Sequence, residues 1–323
     1  MAIADALPGV VWRSAGDGSA VARDTVTAKR HEGRRWPKDF TRRDEGRLWV
    51  RRDFVAVFEK LGWRTFDDVM TSPQPALIRR IDHRSNHRAE LPSPTGGASV
   101  RVYLKRHVGE SARRRLIDAK GQPARVTSGL HEADAVGACQ QASVPTMDVV
   151  AVGQQPSLRA GRFDSFFISE HLPDVEPADQ YWPAHLAPSA DGAIGRGLAQ
   201  RRAGMLAAMA RTAARLHAEG LFHRDLYWCH FMVGEPADSP PAVHLIDLQR
   251  LYRPRFSSTY ARMKDLAQFL VAAPPPPVGP THLELEAWYA QYMDVARLGR
   301  RQRISFAAVG ARAGLYRLKG LRA

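Results

Sequence analysis

The sequence lacks the features that cross-link a chain or anchor it in a membrane. Only Cys139 and Cys229 are cysteines among 323 residues, and without a Cys-x-x-Cys spacing a disulfide framework or a structural zinc site has little support. No stretch approaches the roughly 20 apolar residues that a membrane-spanning helix needs, and the first residues lack the cationic region of a cleavable signal peptide. The sequence therefore predicts a folded protein located in the cytoplasm.

Acidic residues are scarce relative to basic ones. The chain has 47 Lys and Arg residues against 33 Asp and Glu residues, a formal net charge of +14, and no acidic residue follows Asp294. Such a charge favours an anionic partner, namely nucleic acid, an acidic membrane surface or a phosphorylated glycolipid. Solvated basic faces in an Arg-rich sequence explain it equally well. No recognised nucleic-acid-binding motif accompanies the charge, so we expect no nucleic-acid partner.

The order of apolar patterns predicts two lobes after a leader. Residues 1–45 show no periodicity and are predicted to be a leader. Residues 46–177 are predicted to form a first lobe, in which a short helix precedes a small sheet that packs on one helix. Residues 178–323 are predicted to form a second, mainly helical lobe with basic C-terminal helices. Two turn-rich segments, 83–97 and 178–197, are predicted to be a basic loop and a hinge.

Four charged residues occur in the order that phosphoryl transfer requires. That chemistry needs a lysine on the nucleotide phosphates, a carboxylate that orients it, a carboxylate that takes the hydroxyl proton and another that carries magnesium. The sequence supplies Lys105 at a strand, Glu132 on the next helix, Asp225 on a loop after a long helix, and Asp247 after a strand. Each residue alone is more often a solvated side chain. The set, in this order and local context, predicts a kinase.

The two segments that carry the aspartates resemble one branch of the kinases. "HRDLYWCHF" (223–231) followed by "VHLIDLQR" (243–250) resembles the lipopolysaccharide kinase family, with its H-R-D-x-Y-x-x-H-F and I-D-L-x-R patterns. The resemblance extends over about residues 48–270 and includes "VYLKRH", "HEADAV" and "YARMKDLAQFL". It implies an α+β, bilobal protein kinase-like fold, with a small, mainly antiparallel sheet and one packed helix in the N-terminal lobe and a larger helical C-terminal lobe.

The resemblance also implies that the chain binds ATP and Mg²⁺. Lys105 would contact the α- and β-phosphates, and Glu132 would pair with it. Asp225 would be the catalytic base, and Asp247 the main magnesium ligand. His230 would occupy the second metal position, where protein kinases have asparagine, although imidazole is a poorer ligand for magnesium than an oxygen.

Further roles follow from the same resemblance. Arg224 would neutralise charge near the catalytic base. The backbone around Glu170 and His171 would supply the adenine-binding hinge. Asp265 would hold the catalytic loop by hydrogen bonds, and His223 would pack against it. In place of a glycine-rich loop, the basic segment before Lys105 would clamp phosphates through its side chains or face the acceptor.

The implied reaction is transfer of the γ-phosphoryl group of ATP to a sugar hydroxyl. The implied acceptor is heptose or Kdo of the lipopolysaccharide inner core, a glycolipid that would bring the enzyme to the anionic cytoplasmic face of the inner membrane. Two alternatives remain open, a phosphotransferase for a small sugar, choline or an aminoglycoside, and a catalytically inactive kinase-like binding module. A protein kinase is less favoured, because the glycine-rich loop, D-F-G and A-P-E motifs are missing.

Overall fold

The computed structural model describes most of the chain after the first 36 residues. The described residues are 37–111, 116–117, 123–124, 127–156, 162–189, 192–236, 240–255 and 257–319. Most of the predicted leader, residues 1–36, therefore lies outside the described residues.

Short strands dominate the first half of the described chain, and helices dominate the second. The strands are β1 (Phe40–Arg43), β2 (Leu48–Arg51), β3 (Ala76–Ile81), β4 (Arg84–Leu91), β5 (Val100–Ser111), β6 (Leu116–Ile117), β7 (Pro123–Ala124), β8 (Val149–Pro156), β9 (Arg162–Glu170), β10 (Glu176–Pro177), β11 (Phe231–Gly234) and β12 (Ala242–Leu245). The helices are α1 (Val55–Lys60), α2 (Phe66–Thr71), α3 (Ser128–Gln141), α4 (Ala178–His185), α5 (Arg196–Ala218), α6 (Ser258–Ala272), α7 (His282–Tyr292) and α8 (Arg300–Leu318).

Seven strands form one antiparallel sheet in the order β1-β2-β8-β9-β5-β4-β3. Helix α3 packs against its strands β8 and β9, which confirms the predicted sheet with one packed helix. Strand β1 lies before residue 45, so the sheet begins inside the segment predicted to be a leader. The turn-rich segment 83–97 was also wrongly predicted to be a loop throughout. It contains β4, whose eight residues pair with β5.

The sheet and the first two helices enclose a small apolar core. Phe54, Phe58 and Phe66 are almost completely buried, and Phe66 stacks on Phe166 of β9 with ring centroids 5.5 Å apart. Burial of each such ring stabilises the fold by roughly 2–3 kcal/mol relative to exposure. The start of α2 is fixed by a capping box, in which Thr65 and Asp68 bond each other's backbone N–H groups. This core holds β5 in a fixed register beside its neighbours.

The helical part is organised around α5. Its predicted apolar stripe is confirmed, because Met205, Met209, Ala213 and Leu216 are buried, and Gly220 follows the helix with a φ of +68°. The segment 178–197 was wrongly predicted to be a loop-like hinge. It includes α4 and the first residues of α5.

A second apolar core spans the sheet, α3 and the helical part, so the two lobes share buried residues. Val136 of α3 and Phe167 of β9 belong to the same cluster as residues of α5, α6 and α7. The short strand β10 pairs with β11, just before the predicted lobe boundary at residue 178. Within the described ranges, no helix is both long enough and apolar enough to cross a bilayer.

Candidate active site

Lys105 is placed by the alternation of β5. Its neighbours Val102 and Leu104 point into the small core and are buried, which turns the lysine to the opposite face. There Nζ donates hydrogen bonds to Glu132 Oε1 at 2.6 Å and to Asp247 Oδ1 at 2.8 Å. The structure thus brings together three of the four predicted site residues, one from the sheet, one from α3 and one from the segment after β12.

Glu132 is fully buried, and its charge depends on the lysine. Burial raises the pKa of Glu132, and Lys105 offsets only part of that shift. For Lys105 burial acts to lower the pKa, but the carboxylates of Glu132 and Asp247 outweigh it and the net shift is upward. The lysine is therefore a fixed positive charge held by two carboxylates.

Asp247 follows β12 in a left-handed backbone conformation, with a φ of +56°. Burial acts to raise the pKa of Asp247, but Lys105, together with His230 and His223, outweighs it and the pKa falls well below its usual range. Its second oxygen, Oδ2, lies 3.6 Å from His230 Nε2. Asp247 is thus an ionised carboxylate between a lysine and a histidine.

The loop that carries Asp225 is held by hydrogen bonds from helix α6. Asp265 is buried, and its carboxylate accepts hydrogen bonds from the backbone N–H groups of His223, at 2.7 Å, and Arg224, at 2.9 Å. Gln268 of the same helix donates to the carbonyl oxygen of Arg224 at 2.6 Å. These contacts confirm the predicted role of Asp265. They also hold Arg224 at a φ of +69°, a conformation that non-glycine residues seldom adopt.

Two histidines add hydrogen bonds to the loop that carries Asp225. His223 Nε2 donates to the carbonyl oxygen of Ile246 at 3.0 Å, and His230 Nδ1 donates to that of Asp225 at 2.7 Å. A carbonyl can only accept, so each of these ring nitrogens carries a proton. His223 is buried, and burial lowers its pKa, so this ring packs as predicted. The bond from His223 to Ile246 links this loop to the residue before Asp247.

Asp225 is paired with Arg250. Arg250 Nη1 lies 2.7 Å from Asp225 Oδ1 and 2.8 Å from Oδ2, and the Asp225 side chain is 19% exposed. The ion-pair partner of Asp225 is thus Arg250, and the predicted role of Arg224 in neutralising charge near Asp225 stays a prediction. The guanidinium of Arg224 lies over the ring of Tyr252, 5.2 Å from its centroid.

Strand β4 pairs with β5 and lies beside Lys105. Its Asn86 is the direct cross-strand partner of Lys105, and Arg84 is the partner of His107, so all four side chains share one face. Arg84 Nη1 also donates to Gln249 Oε1 at 2.9 Å, which joins β4 to the segment after Asp247. The basic side chains predicted before Lys105 thus come from a strand.

Comparison with known proteins agrees with this geometry. The model of the lipopolysaccharide kinase (Kdo/WaaP) family matches residues 74–288, about two thirds of the chain. The chain belongs to this lipopolysaccharide kinase family. It is 28% identical over 235 residues to the lipopolysaccharide core heptose(I) kinase WaaP of Pseudomonas aeruginosa, covering 70% of this chain and 76% of that one. It is 27% identical over 194 residues to WaaP of Escherichia coli, covering 58% and 68%.

A solved structure shows the same fold. The structure of WaaP in complex with acyl carrier protein superposes on this chain with a TM-score of 0.59 and 23% identity, covering 83% of this chain and 98% of that one. This similarity confirms the predicted bilobal kinase-like fold.

Arg250 is the site residue of this lipopolysaccharide kinase that sequence reasoning did not assign. It is the arginine of "IDLQR", so the signal was present in the motif. Its pairing with an aspartate 25 positions earlier could not be read from spacing.

Glu170 and His171 lie at the end of β9, but their polar groups are largely engaged. The Glu170 side chain pairs with Arg51. The N–H group of Glu170 donates to Asp148 O, and that of His171 donates to Arg101 O, each at 2.9 Å. The backbone N–H groups of both residues are therefore already engaged, and the predicted adenine contacts stay a prediction.

A magnesium site built from protein groups alone is not formed. In the part of the chain that the structure describes, no group of three or more His, Cys, Asp or Glu side chains is arranged to hold a metal ion. Asp247 and His230 supply two candidate ligands. Mg²⁺ in kinases commonly takes one or two carboxylates together with phosphate oxygens and water, so a site with Asp247 as its carboxylate fits the ion when a nucleotide is present.

Proposed function

We propose that this chain transfers the γ-phosphoryl group of ATP to a hydroxyl of heptose or Kdo in the lipopolysaccharide inner core. The observation that carries the proposal is the contact of Lys105 with both Glu132 and Asp247, beside a loop that presents Asp225. These are the groups that phosphoryl transfer to an alcohol requires. Membership of the lipopolysaccharide kinase family and relatives named heptose(I) kinases support the acceptor class.

Lys105 is the group that binds the nucleotide phosphates. An ammonium group has three N–H donors, and Glu132 and Asp247 accept from two of them. The third is available for a phosphate oxygen. Because Glu132 is buried and on a helix, it fixes the position of the lysine before the nucleotide binds, so less ordering is needed in the complex.

Asp225 orients the acceptor hydroxyl and accepts its proton as the oxygen attacks the γ-phosphorus atom. Arg250 uses one nitrogen to hold both oxygens of Asp225. Its other two nitrogens, Nε and Nη2, donate to no group within the described residues. We assign them to the oxygens of the transferred phosphoryl group, for which the planar guanidinium fork is well suited.

Asp247 and His230 are the residues that would hold Mg²⁺. The ion would supply positive charge to the β- and γ-phosphate oxygens. The ionised state of Asp247 supports this assignment, as does the second carboxylate oxygen, which Lys105 does not use. His230 donates its Nδ1 proton to Asp225 O, so in the neutral ring the Nε2 lone pair faces Asp247.

The test is incubation with γ-labelled ATP and a panel of acceptors. The panel contains dephosphorylated lipopolysaccharide cores, free sugars, choline, an aminoglycoside and a generic protein. We expect label on the lipopolysaccharide cores with the wild-type chain and at least about a hundredfold less with Asp225→Asn. Asp294→Asn, on an exposed residue, is the matched control. Label on another acceptor class, or an active Asp225→Asn variant, contradicts the proposal.

We also propose that the enzyme works in the cytoplasm at the anionic surface of the inner membrane. The net charge of +14 supports attraction to that surface. So does β3, an edge strand on which Leu77 and Ile78 are exposed beside Arg79 and Arg80. Co-sedimentation with vesicles containing anionic lipids should fall as salt rises from 0.02 to about 0.15 M. Binding that does not change with salt contradicts this proposal.

We propose further that residues 46–177 and 178–323 act as two lobes that close on the nucleotide. The contacts of Lys105 with Asp247 and of Arg84 with Gln249 support this division, because each joins the sheet to the helical part. Limited proteolysis that leaves two fragments, cut in the exposed segment between β9 and β10 and protected by ATP, is the expected result. Cuts elsewhere, or no protection, would count against it.

A further inference from the structure

Helix α8 has an apolar face on the side that it turns away from the protein. Its packed side consists of Phe306, Val309 and Ala313, which are buried and belong to the core shared with α6. With about 3.6 residues per turn, the opposite side of the helix carries Ile304, Ala307, Ala311, Leu315 and Leu318, and all of these residues are exposed. We call these five residues the outer face of α8. A surface helix normally has polar residues on this side, so α8 departs from the usual pattern.

The large side chains of the outer face are well exposed. Ile304 is 52% exposed, Leu315 56% and Leu318 85%. Nine large apolar side chains are exposed within the described residues, and three of them lie together on this one face. Single exposed apolar residues are normal on a protein surface, but a continuous apolar stripe indicates a surface that another body covers.

Cations flank the outer face at both ends. Arg300, Arg301 and Arg303 lie at the start of α8, and Arg317 and Lys319 lie at its end, and all five are exposed. Helix α8 contains no Asp or Glu. Long basic side chains can place their apolar stems on the same surface while their charges reach towards anions. An apolar stripe with basic ends is typical of a helix that lies in the headgroup layer of an anionic membrane.

A second copy of the chain fits this face less well than lipid does. If two α8 helices packed antiparallel, the arginines at the start of one would lie near Arg317 and Lys319 of the other. Parallel packing would align the same cations with each other. Neither helix has an acidic residue to offset the repulsion. An anionic lipid surface instead offers phosphate groups to both ends and an apolar layer to the stripe, so charge complementarity favours lipid.

Helix α6 connects α8 to the catalytic loop. Arg317 Nη2 of α8 donates to the carbonyl oxygen of Leu270 of α6 at 3.2 Å, and the buried side of α8 packs on α6. The same helix α6 carries Asp265, which accepts hydrogen bonds from the backbone of the loop that presents Asp225. A single helix thus lies between the outer face of α8 and this loop.

We propose that the outer face of α8 docks on an anionic lipid surface, with its apolar residues among the headgroups and its terminal cations on lipid phosphates. This docking rests on the proposed function, because it names the element through which the enzyme meets the membrane that carries its acceptor. Since α6 contacts both α8 and the catalytic loop, docking places Asp225 near the lipid from which a core sugar extends. Strand β3 adds attraction, and α8 supplies the insertion.

Vesicle binding by the full chain tests the insertion. The vesicles contain phosphatidylcholine alone or with about one quarter phosphatidylglycerol. Leu315→Glu should lower the affinity for the anionic vesicles about tenfold or more, because it removes apolar contact and adds repulsion. Ala311→Leu should raise this affinity, because it adds apolar area to the same face. Ala203→Glu adds the same charge at an exposed position of α5 and is the matched control, with an expected change below about twofold.

Two outcomes would overturn the docking. One is a Leu315→Glu variant that binds the anionic vesicles as tightly as the wild-type chain does. The other is a wild-type chain that sediments as a dimer without vesicles while Leu315→Glu sediments as a monomer, because a second copy would then cover the outer face.

Turnover separates this docking from the proposed function. Leu315→Glu should phosphorylate a delipidated core oligosaccharide at the wild-type rate, and a lipid-linked core in anionic vesicles about tenfold more slowly. If Leu315→Glu loses vesicle binding but no lipopolysaccharide acceptor is phosphorylated by the wild-type chain, the proposed function fails and the docking stands. If Leu315→Glu phosphorylates both acceptors at wild-type rates, the docking is overturned and the proposed function stands.

Discussion

Arg250 touches Asp225 through a single nitrogen atom, and its other donors have no partner within the described residues. Loss of this side chain would free the carboxylate to rotate and would remove positive charge near the transferred group. Both effects act on the chemical step more than on ATP binding. The lysine assigned to the ATP phosphates, Lys105, is held by Glu132 and does not depend on Arg250.

We therefore predict that Arg250→Gln lowers kcat by about 10²-fold, with a much smaller change in KM for ATP. Arg250→Lys should recover only part of the rate, because an ammonium lacks the planar fork. Steady-state kinetics with the lipopolysaccharide acceptor measures both. Arg211→Gln, exposed on α5, is the control. A kcat within twofold of wild type would show that Arg250 is a surface ion pair of the usual small value.

Sequence reasoning identified the charged site residues better than their partners. Lys105, Glu132 and Asp247 meet as predicted, because their order and their local elements are written in the sequence. The pairing of Asp225 with Arg250 was not predicted, and neither was the left-handed φ of Arg224, the residue before Asp225. No residue pattern reveals such a φ before the loop is anchored by Asp265, which is 41 positions away from Arg224.

At the scale of elements, the missed strand and the missed helix share one cause. Strand β4 reads "RSNHRAEL" and has polar residues on both faces, so it lacks the alternation that marks a half-buried strand. It forms because β5 offers eight backbone partners. Helix α4 follows Pro177 and contains Pro183, so its sequence does not favour a helix. It is stabilised by Trp182, which packs edge-on against Trp228. Tertiary contacts thus decided both elements, and local propensity did not.

Strand β4 also leads to a prediction about the nucleotide. Arg84 lies on the same face as Lys105 and donates to Gln249 across the site. We predict that Arg84 binds a phosphate group of ATP. Arg84→Met should therefore raise KM for ATP about tenfold, whereas Gln249→Ala should change this KM less than about threefold. Arg80→Met is the matched control, because Arg80 pairs with Ser85 on the other face of the hairpin.

The double variant distinguishes a phosphate contact from a purely structural one. With a phosphate contact, the double variant should have the KM of Arg84→Met alone. If the two single variants raise KM for ATP by the same factor and the double variant raises it no further, the hydrogen bond between Arg84 and Gln249 explains the effect. Arg84 then does not bind ATP.

At the scale of the whole molecule, the two lobes are joined by buried apolar residues and by charge. The shared core of α3, β9 and the helical part supplies contact that does not depend on pH. The ion pair of Lys105 with Asp247 crosses the same junction and does depend on pH. The lobes are therefore held together more firmly at neutral pH than in acid.

The direction of this pH dependence follows from the ionisation of Asp247. The pKa of Asp247 is lowered in the folded chain, because the combined effect of Lys105, His230 and His223 exceeds that of burial. A lowered folded-state pKa contributes stability above the unfolded pKa of about 3.9, and that stability is lost as pH falls towards the folded value. Thermal unfolding from pH 7 to about pH 3 should show wild type losing about 1 kcal/mol of its advantage over Asp247→Asn. Asp294→Asn should follow wild type throughout, since Asp294 is exposed. Parallel curves for wild type and Asp247→Asn would mean that the bridge between the lobes adds no pH-dependent stability, and that the shared apolar core alone holds them together.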